Sequence, residues 1–161
     1  TAIDSQCRFV AVSGDKTHII DATTNFKCVL ELENGSGVSL ANSWAPDGSW
    51  FATIGRNQNL LIYDTSSEKL SQWRVVFTVQ TKQAGLALAW GPVMPGELHD
   101  CARGGEDKKI YVMEVRTKER SWETVLGVPR DGLIYDLDWN SEGLVAAAIG
   151  NGTVTILDLS Y

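Results

Sequence analysis

Histidine and cysteine are scarce in this sequence, and their scarcity narrows what the chain can do. Its 161 residues hold two histidines, His18 and His99, far apart in the chain, and three cysteines, Cys7, Cys28 and Cys101. There is no C-x-x-C pair and no clustering of ligands at metal spacing, so neither a metal site nor a cofactor is expected. An odd, scattered set of thiols also excludes a disulfide framework and fits a reducing intracellular compartment, cytoplasmic or nuclear. Cys28 falls in the alternation Phe26-Lys27-Cys28-Val29-Leu30 and is expected to be a small buried hydrophobe. His99-Asp100-Cys101 makes no catalytic dyad, because strand neighbours point to opposite faces.

Long apolar runs are lacking too. No stretch approaches the roughly 18 apolar residues of a membrane-spanning helix, so no membrane association is expected. The opening residues TAIDSQCRF have neither the basic start nor the apolar stretch of a signal peptide. Basic residues are outnumbered, 14 against 20 acidic, for a net charge of −6. That disfavours a general nucleic-acid or anionic-membrane binder. Helical periodicity is missing: nowhere do apolar residues recur at i, i+3, i+4 and i+7 across three turns. Disorder is excluded by a hydrophobic content of 43% and six tryptophans.

What the sequence does contain is repetition. Leu40 to Ser67, Leu86 to Thr117 and Ile134 to Tyr161 share one internal order. Each opens on alternating apolar residues ending in Trp (Trp44, Trp90, Trp139), followed by a turn rich in Pro, Asp, Asn and Gly. A strand of small residues then runs to Gly55, Gly104-Gly105 or Gly150, and a β-branched strand closes on Asp64, Glu114 or Asp158. Phe9 to Asp21 is a partial fourth copy. A repeat of roughly 40–50 residues built from short strands marks a propeller blade. Trp73 to Gln80, Phe26 to Glu33 and Trp122 to Val128 fit outer strands. Chain order then gives about three and a half blades, numbered 7–33 (incomplete, without an inner strand), 38–80, 85–128 and 132–161 (incomplete).

The order W-x-P-D-G-x-x-x-A, G-x-x-D-x-x-I and a closing acid resembles the WD-repeat β-propeller family. It is clearest in Trp44-Ala45-Pro46-Asp47-Gly48 and in Gly104 to Glu114. The resemblance implies an all-β, partial propeller of four-stranded antiparallel blades. The Trp-Asp pair itself is replaced by Tyr63-Asp64, Met113-Glu114, Leu157-Asp158 and Ile20-Asp21, and no Gly-His dipeptide precedes an inner strand. The family's Asp–His–Ser/Thr–Trp network therefore does not carry over, and inter-blade apolar packing is expected in its place. The turn acid survives as Asp107, with Asn57 and Asn151 in similar places as structural turn residues. These blades are expected to belong to a longer propeller, or to close the ring with another chain, because exposed edges invite pairing.

Two functional classes follow. The resemblance implies a non-catalytic scaffold that presents its loop rims to other proteins within a complex. On one rim fall Arg56, Lys82, Arg103, Lys108, Lys109 and Arg130, with Asp15, Glu106 and Asp131 interleaved. Arginine is enriched in protein interfaces because its planar fork grips carboxylates and stacks on aromatics. The alternative is a ligand-binding or hydrolytic propeller with a site in the central channel. Asp136 and Asp138 beside Trp139 offer paired carboxylates for such chemistry; the plainer reading is a solvent-facing strand or a partner contact. Arg103 to Asp107 lacks the Lys-Ser/Thr of a phosphate loop and joins two strands.

Overall fold

The computed structural model describes residues 1–35, 37–94, 98–116, 119 and 121–159. Four antiparallel sheets follow one another along the chain. The first holds β1 (Ala2–Ile3), β2 (Phe9–Val12), β3 (Lys16–Asp21) and β4 (Lys27–Glu33). The second holds β5 (Ser39–Trp44), β6 (Trp50–Gly55), β7 (Asn59–Asp64) and β8 (Arg74–Gln80). In the third are β9 (Gly85–Met94), β10 (Leu98–Gly105), β11 (Lys109–Arg116) and β12 (Ser121–Pro129). The fourth has β13 (Ile134–Trp139), β14 (Leu144–Ile149) and β15 (Val154–Asp158); Ser160 and Tyr161, at the end of the expected fourth unit, lie outside the described residues. Among the described residues no helix is long and apolar enough to cross a membrane.

The turn chemistry explains the hairpins. In Pro46-Asp47-Gly48, Gly48 takes φ +75°, and Asp47 Oδ1 accepts from the Ser49 amide at 3.0 Å and hydroxyl at 2.7 Å. The side chain thus closes the turn locally, as Asp does best. Near the amino end the outcome differs from the sequence expectation, which left the first unit without an inner strand. Ala2 pairs with Ala11 and Ile3 with Val10. Two residues suffice because buried Asp4 organises the loop: its Oδ1 accepts from Phe9 N at 2.5 Å, and its backbone bonds Phe9 and Cys7.

Sheets approach one another mainly through their first strands, β1 with β5, β5 with β9 and β9 with β13. The core is accordingly split into three slabs between neighbouring sheets. Phe9, Ala11, Ile19 and Leu32 meet Trp44, Phe51, Leu61 and Tyr63. Trp50, Ala52, Ile54, Leu60 and Ile62 on the opposite face of the second sheet meet Leu88, Trp90, Cys101, Met113 and Val115. Ala87, Ala89, Ala102 and Ile110 meet Ile134, Leu137, Val145, Ala147 and Ile149. Alternate side chains on one strand therefore serve different slabs, as the period of two requires. The middle sheets read as continuous apolar runs because both faces are covered.

A polar contact joins buried His99 to exposed Asp47 at the edge of the second slab. His99 Nε2 on β10 lies 2.8 Å from Asp47 Oδ2, with the imidazole edge-on to Trp50 and Trp90. Trp50, close to the Asp47-Gly48 turn, is buried in this contact. Burial opposes ionisation of Asp47, but the bonds from Ser49 and His99 outweigh it and hold the carboxyl below its usual range. Neighbouring Cys101 is fully buried, which pushes its thiol up and leaves it unreactive.

Two measurements check this packing. Ile62 and Ile156 occupy equivalent places, opposite Ala52 and Ala146 respectively, yet Ile62 is fully buried and Ile156 is 57% exposed. Ile62→Ala is expected to cost about 2–5 kcal/mol in urea unfolding, and Ile156→Ala to stay within about 0.5 kcal/mol. The second concerns Asp100, buried opposite Glu114. Burial, reinforced by the Glu114 charge and opposed by His99, pushes its carboxyl up from 3.8 to about 6. The folded state then binds more protons than the unfolded one, so stability falls as pH rises across that interval. Asp100→Asn is expected to flatten this segment of the stability–pH profile.

Candidate functional site

One rim is built from the turns that join second to third strands and the loops that enter each new sheet. Backbone bonds knit the two sets together: Arg56 N to Val38 O at 2.9 Å, Glu106 N to Ala84 O at 3.1 Å and Gly150 N to Leu133 O at 2.8 Å. The repeated glycine makes room for this. A Cβ on Gly55 would lie 2.1 Å from Val38 O, and one on Gly105 2.2 Å from Ala84 O. Each turn is held inside by its acceptor: Asn57 Oδ1 takes Asn59 N at 3.2 Å, Asp107 Oδ1 takes Lys109 N at 3.3 Å, and Asn151 Oδ1 takes Thr153 N at 3.0 Å. Gln58, Lys108 and Gly152 follow with φ of +56°, +58° and +86°.

Of the basic residues, Arg56, Lys82, Lys108 and Lys109 are exposed and Arg130 is half-buried. Two more bonds bring their carriers together: Thr81 N, beside Lys82, donates to Gln58 O at 2.7 Å, and Arg130 N donates to Lys108 O at 2.8 Å. Exposed Asp15, Glu106 and Asp131 share this end of the molecule.

Arg103 is the exception. It is only 9% exposed, and its guanidinium carbon sits 3.9 Å over the Tyr111 ring centroid. Burial pulls its pKa down, against the Asp107 charge. Arg103 faces Tyr111 across the β10–β11 ladder, a register set by the Glu106-Asp107-Lys108 turn. The cation is spent on packing, so it is a structural residue of the third sheet and is removed from the set of free rim charges.

The paired carboxylates open to solvent. Asp136 and Asp138 lie on the outer face of the fourth sheet, and each accepts its next residue's amide, Leu137 N at 3.0 Å and Trp139 N at 2.9 Å. On the same face Val154 is 70% exposed. Sequence reasoning missed Asn34, which is fully buried. Its Oδ1 accepts from Thr17 Oγ1 at 2.8 Å, its Nδ2 donates to Gly14 O at 3.0 Å, and its carbonyl accepts from Asn57 Nδ2. No local pattern around Asn34 announces this role, which exists only once two sheets are side by side.

No family model matches the chain. It is 28% identical to actin-interacting protein 1 of Drosophila melanogaster over 155 residues, which is 95% of this chain and 24% of that protein. The solved structure of U3-55K superposes with a TM-score of 0.79 at 16% identity, covering 99% of this chain and 48% of that one. The chain thus spans about a quarter of the curated relative and about half of the solved structure. Its fold is that of part of a β-propeller, four neighbouring blades with three strands described in the last, similar to blades of the WD-repeat kind.

Within that fold the blades are divergent. The indole Nε1 atoms of Trp44, Trp50 and Trp90 are buried without a partner, whereas Trp139 Nε1 donates to Ala89 O of the preceding blade at 3.1 Å. Blade-to-blade cohesion therefore rests on apolar slabs and a few polar ties. Arg103→Ala is expected to lower stability by about 1–2 kcal/mol through loss of the stacked pair. Arg103→Lys, lacking the planar group, should recover little of it in the same denaturant titration.

Proposed function

We propose that this chain is a non-catalytic protein-interaction scaffold whose basic rim receives an acidic surface of a protein partner within a larger assembly. The observation that carries this reading is the placement of Arg56, Lys82, Lys108 and Arg130 on turns tied into one rim by backbone hydrogen bonds. Pinned turns lose little ordering entropy on binding. Interleaved Asp15, Glu106 and Asp131 add register, since like-charge contacts reject wrong partners. The proposal includes ring closure by further blades or another chain: Val154 and Ile156 lie open where the equivalent Leu60 and Ile62 are buried against the next blade. The name of the Drosophila relative makes actin the first partner to test.

The test is co-sedimentation of the chain with filamentous actin, for the wild type and for Arg56→Glu, Lys82→Glu and Lys108→Glu combined. All three are exposed, so the fold is expected to survive and circular dichroism checks it. Wild-type pelleting should weaken by tenfold or more on charge reversal, in the range seen for close charge pairs. Pelleting unchanged by the triple substitution would put the contact elsewhere. Absence of wild-type pelleting would remove actin as the partner.

A further inference from the structure

The first blade carries a cluster that its sequence spacing does not reveal. His18 on β3 and Glu31 on β4 face each other across the ladder, with His18 Nδ1 3.6 Å from Glu31 Oε1. Cys28 Sγ lies 3.7 Å from the same Nδ1, and the three potential ligand atoms all fall within 4.8 Å of one another. We propose that His18, Cys28 and Glu31 form a binding site for a divalent transition-metal ion of the zinc class.

The geometry matches that chemistry. With Zn–S near 2.3 Å and Zn–N or Zn–O near 2.0–2.2 Å, a tetrahedral ion separates sulfur from nitrogen by about 3.6 Å and nitrogen from oxygen by about 3.4 Å. The two distances to Nδ1 lie close to both. Three protein ligands leave the fourth tetrahedral position to water or a further ligand. Glu31 is oriented from behind, since its other oxygen, Oε2, lies 3.3 Å from Lys16 Nζ, and Lys16 in turn sits 2.9 Å from Glu33 Oε1. A carboxylate held by its second oxygen is the usual outer support of a metal ligand.

A bulge assembles the trio. The β3–β4 register slips between Ile19 and Ile20, so that Ile19 faces Leu30 but Ile20 faces Cys28, with Val29 as the extra residue. In an unbroken ladder Cys28 would share the inner face of Leu30 and Leu32. The bulge turns it to the face of His18 and Glu31, the kind of re-aiming that bulges perform. The same slip recurs in the next two blades, between Ile62 and Tyr63 and between Val112 and Met113. There the three equivalent positions carry Leu61, Val75 and Thr78, and Tyr111, Thr124 and Gly127, with no such ligand set. The backbone device is shared by three blades, and the ligands belong to the first alone.

Those same positions show that the two β4 ligands stay reachable when another blade packs on this face. The second blade is covered on the equivalent face by the first, yet Val75 remains 40% exposed and Thr78 is exposed too. Leu61, the equivalent of His18, is buried there, so a covered site is approached from its outer-strand side.

The probe is Co²⁺, titrated into the reduced full chain and displaced by Zn²⁺. Binding is expected to produce a thiolate-to-cobalt charge-transfer band at one equivalent, which Zn²⁺ abolishes. Cys28→Ala should remove the band, His18→Ala and Glu31→Ala should each weaken affinity tenfold or more, and Cys7→Ala should change nothing. Cys28 and Glu31 are exposed and His18 is half-exposed, so these variants are expected to keep the fold, with thermal unfolding as the check. No charge-transfer band with the wild type, a band that survives Cys28→Ala, or one lost in Cys7→Ala would each overturn the site.

Discussion

Each middle sheet of this protein buries both of its faces, and the rest of the structure depends on that constraint. A four-stranded sheet with two apolar faces has no stable existence in water alone; it is completed by the slabs on either side. The second blade shows the division of labour most clearly. Phe51, Leu61 and Tyr63 serve the slab shared with the first blade, while Ala52, Leu60 and Ile62 serve the slab shared with the third. Small residues on inner and second strands, such as Ala87, Ala89, Ala102 and Ala147, let neighbouring sheets approach, and larger aliphatic residues on third strands, such as Leu60, Ile62 and Ile110, fill the remaining space. The same constraint leaves the outer face of the fourth blade, with Val154 and Ile156, as the surface that a neighbour would complete.

Polar groups occupy the seams of this arrangement, and their roles differ by place. His99 and Asp47 bridge two blades at the edge of a slab. Asn34 and Asn57 tie the first blade to the second at the rim. Arg103 lies folded over the Tyr111 ring. At the rim itself, Arg56, Lys82 and Lys108 project from turns whose backbones are already satisfied. A charge held on a rigid turn is available for recognition, whereas a charge folded onto an aromatic ring is a packing element. Composition does not separate the two.

Most of the strands were legible in the sequence because their signals are local. Trp44, Trp90 and Trp139 mark the ends of alternating stretches, and Pro46-Asp47-Gly48 and Glu106-Asp107-Lys108 mark turns by residue types with a specific conformational use. The short inner strand at Ala2–Ile3 was not legible, since two residues carry no periodicity and the strand owes its place to the Asp4 loop. Cys28 was misread for a related reason. Strict alternation puts it inside, but one extra residue at Val29 reverses the face of everything before it, and a bulge is set by the pairing of two strands, not by one strand's composition. Arg103 was misplaced because its partner Tyr111 becomes its neighbour only once the hairpin register is known.

The amino-acid sequence by itself determined the repeat, the strand-forming stretches and the turns between them, all of which follow from preferences that each residue expresses over a few neighbours. Tertiary structure alone decided which charges stay free, which polar groups bridge blades, and that His18, Cys28 and Glu31 stand together. Those outcomes turn on strand register and on the meeting of separate sheets, and such distances between residues remote in the chain come into being only when the slabs close.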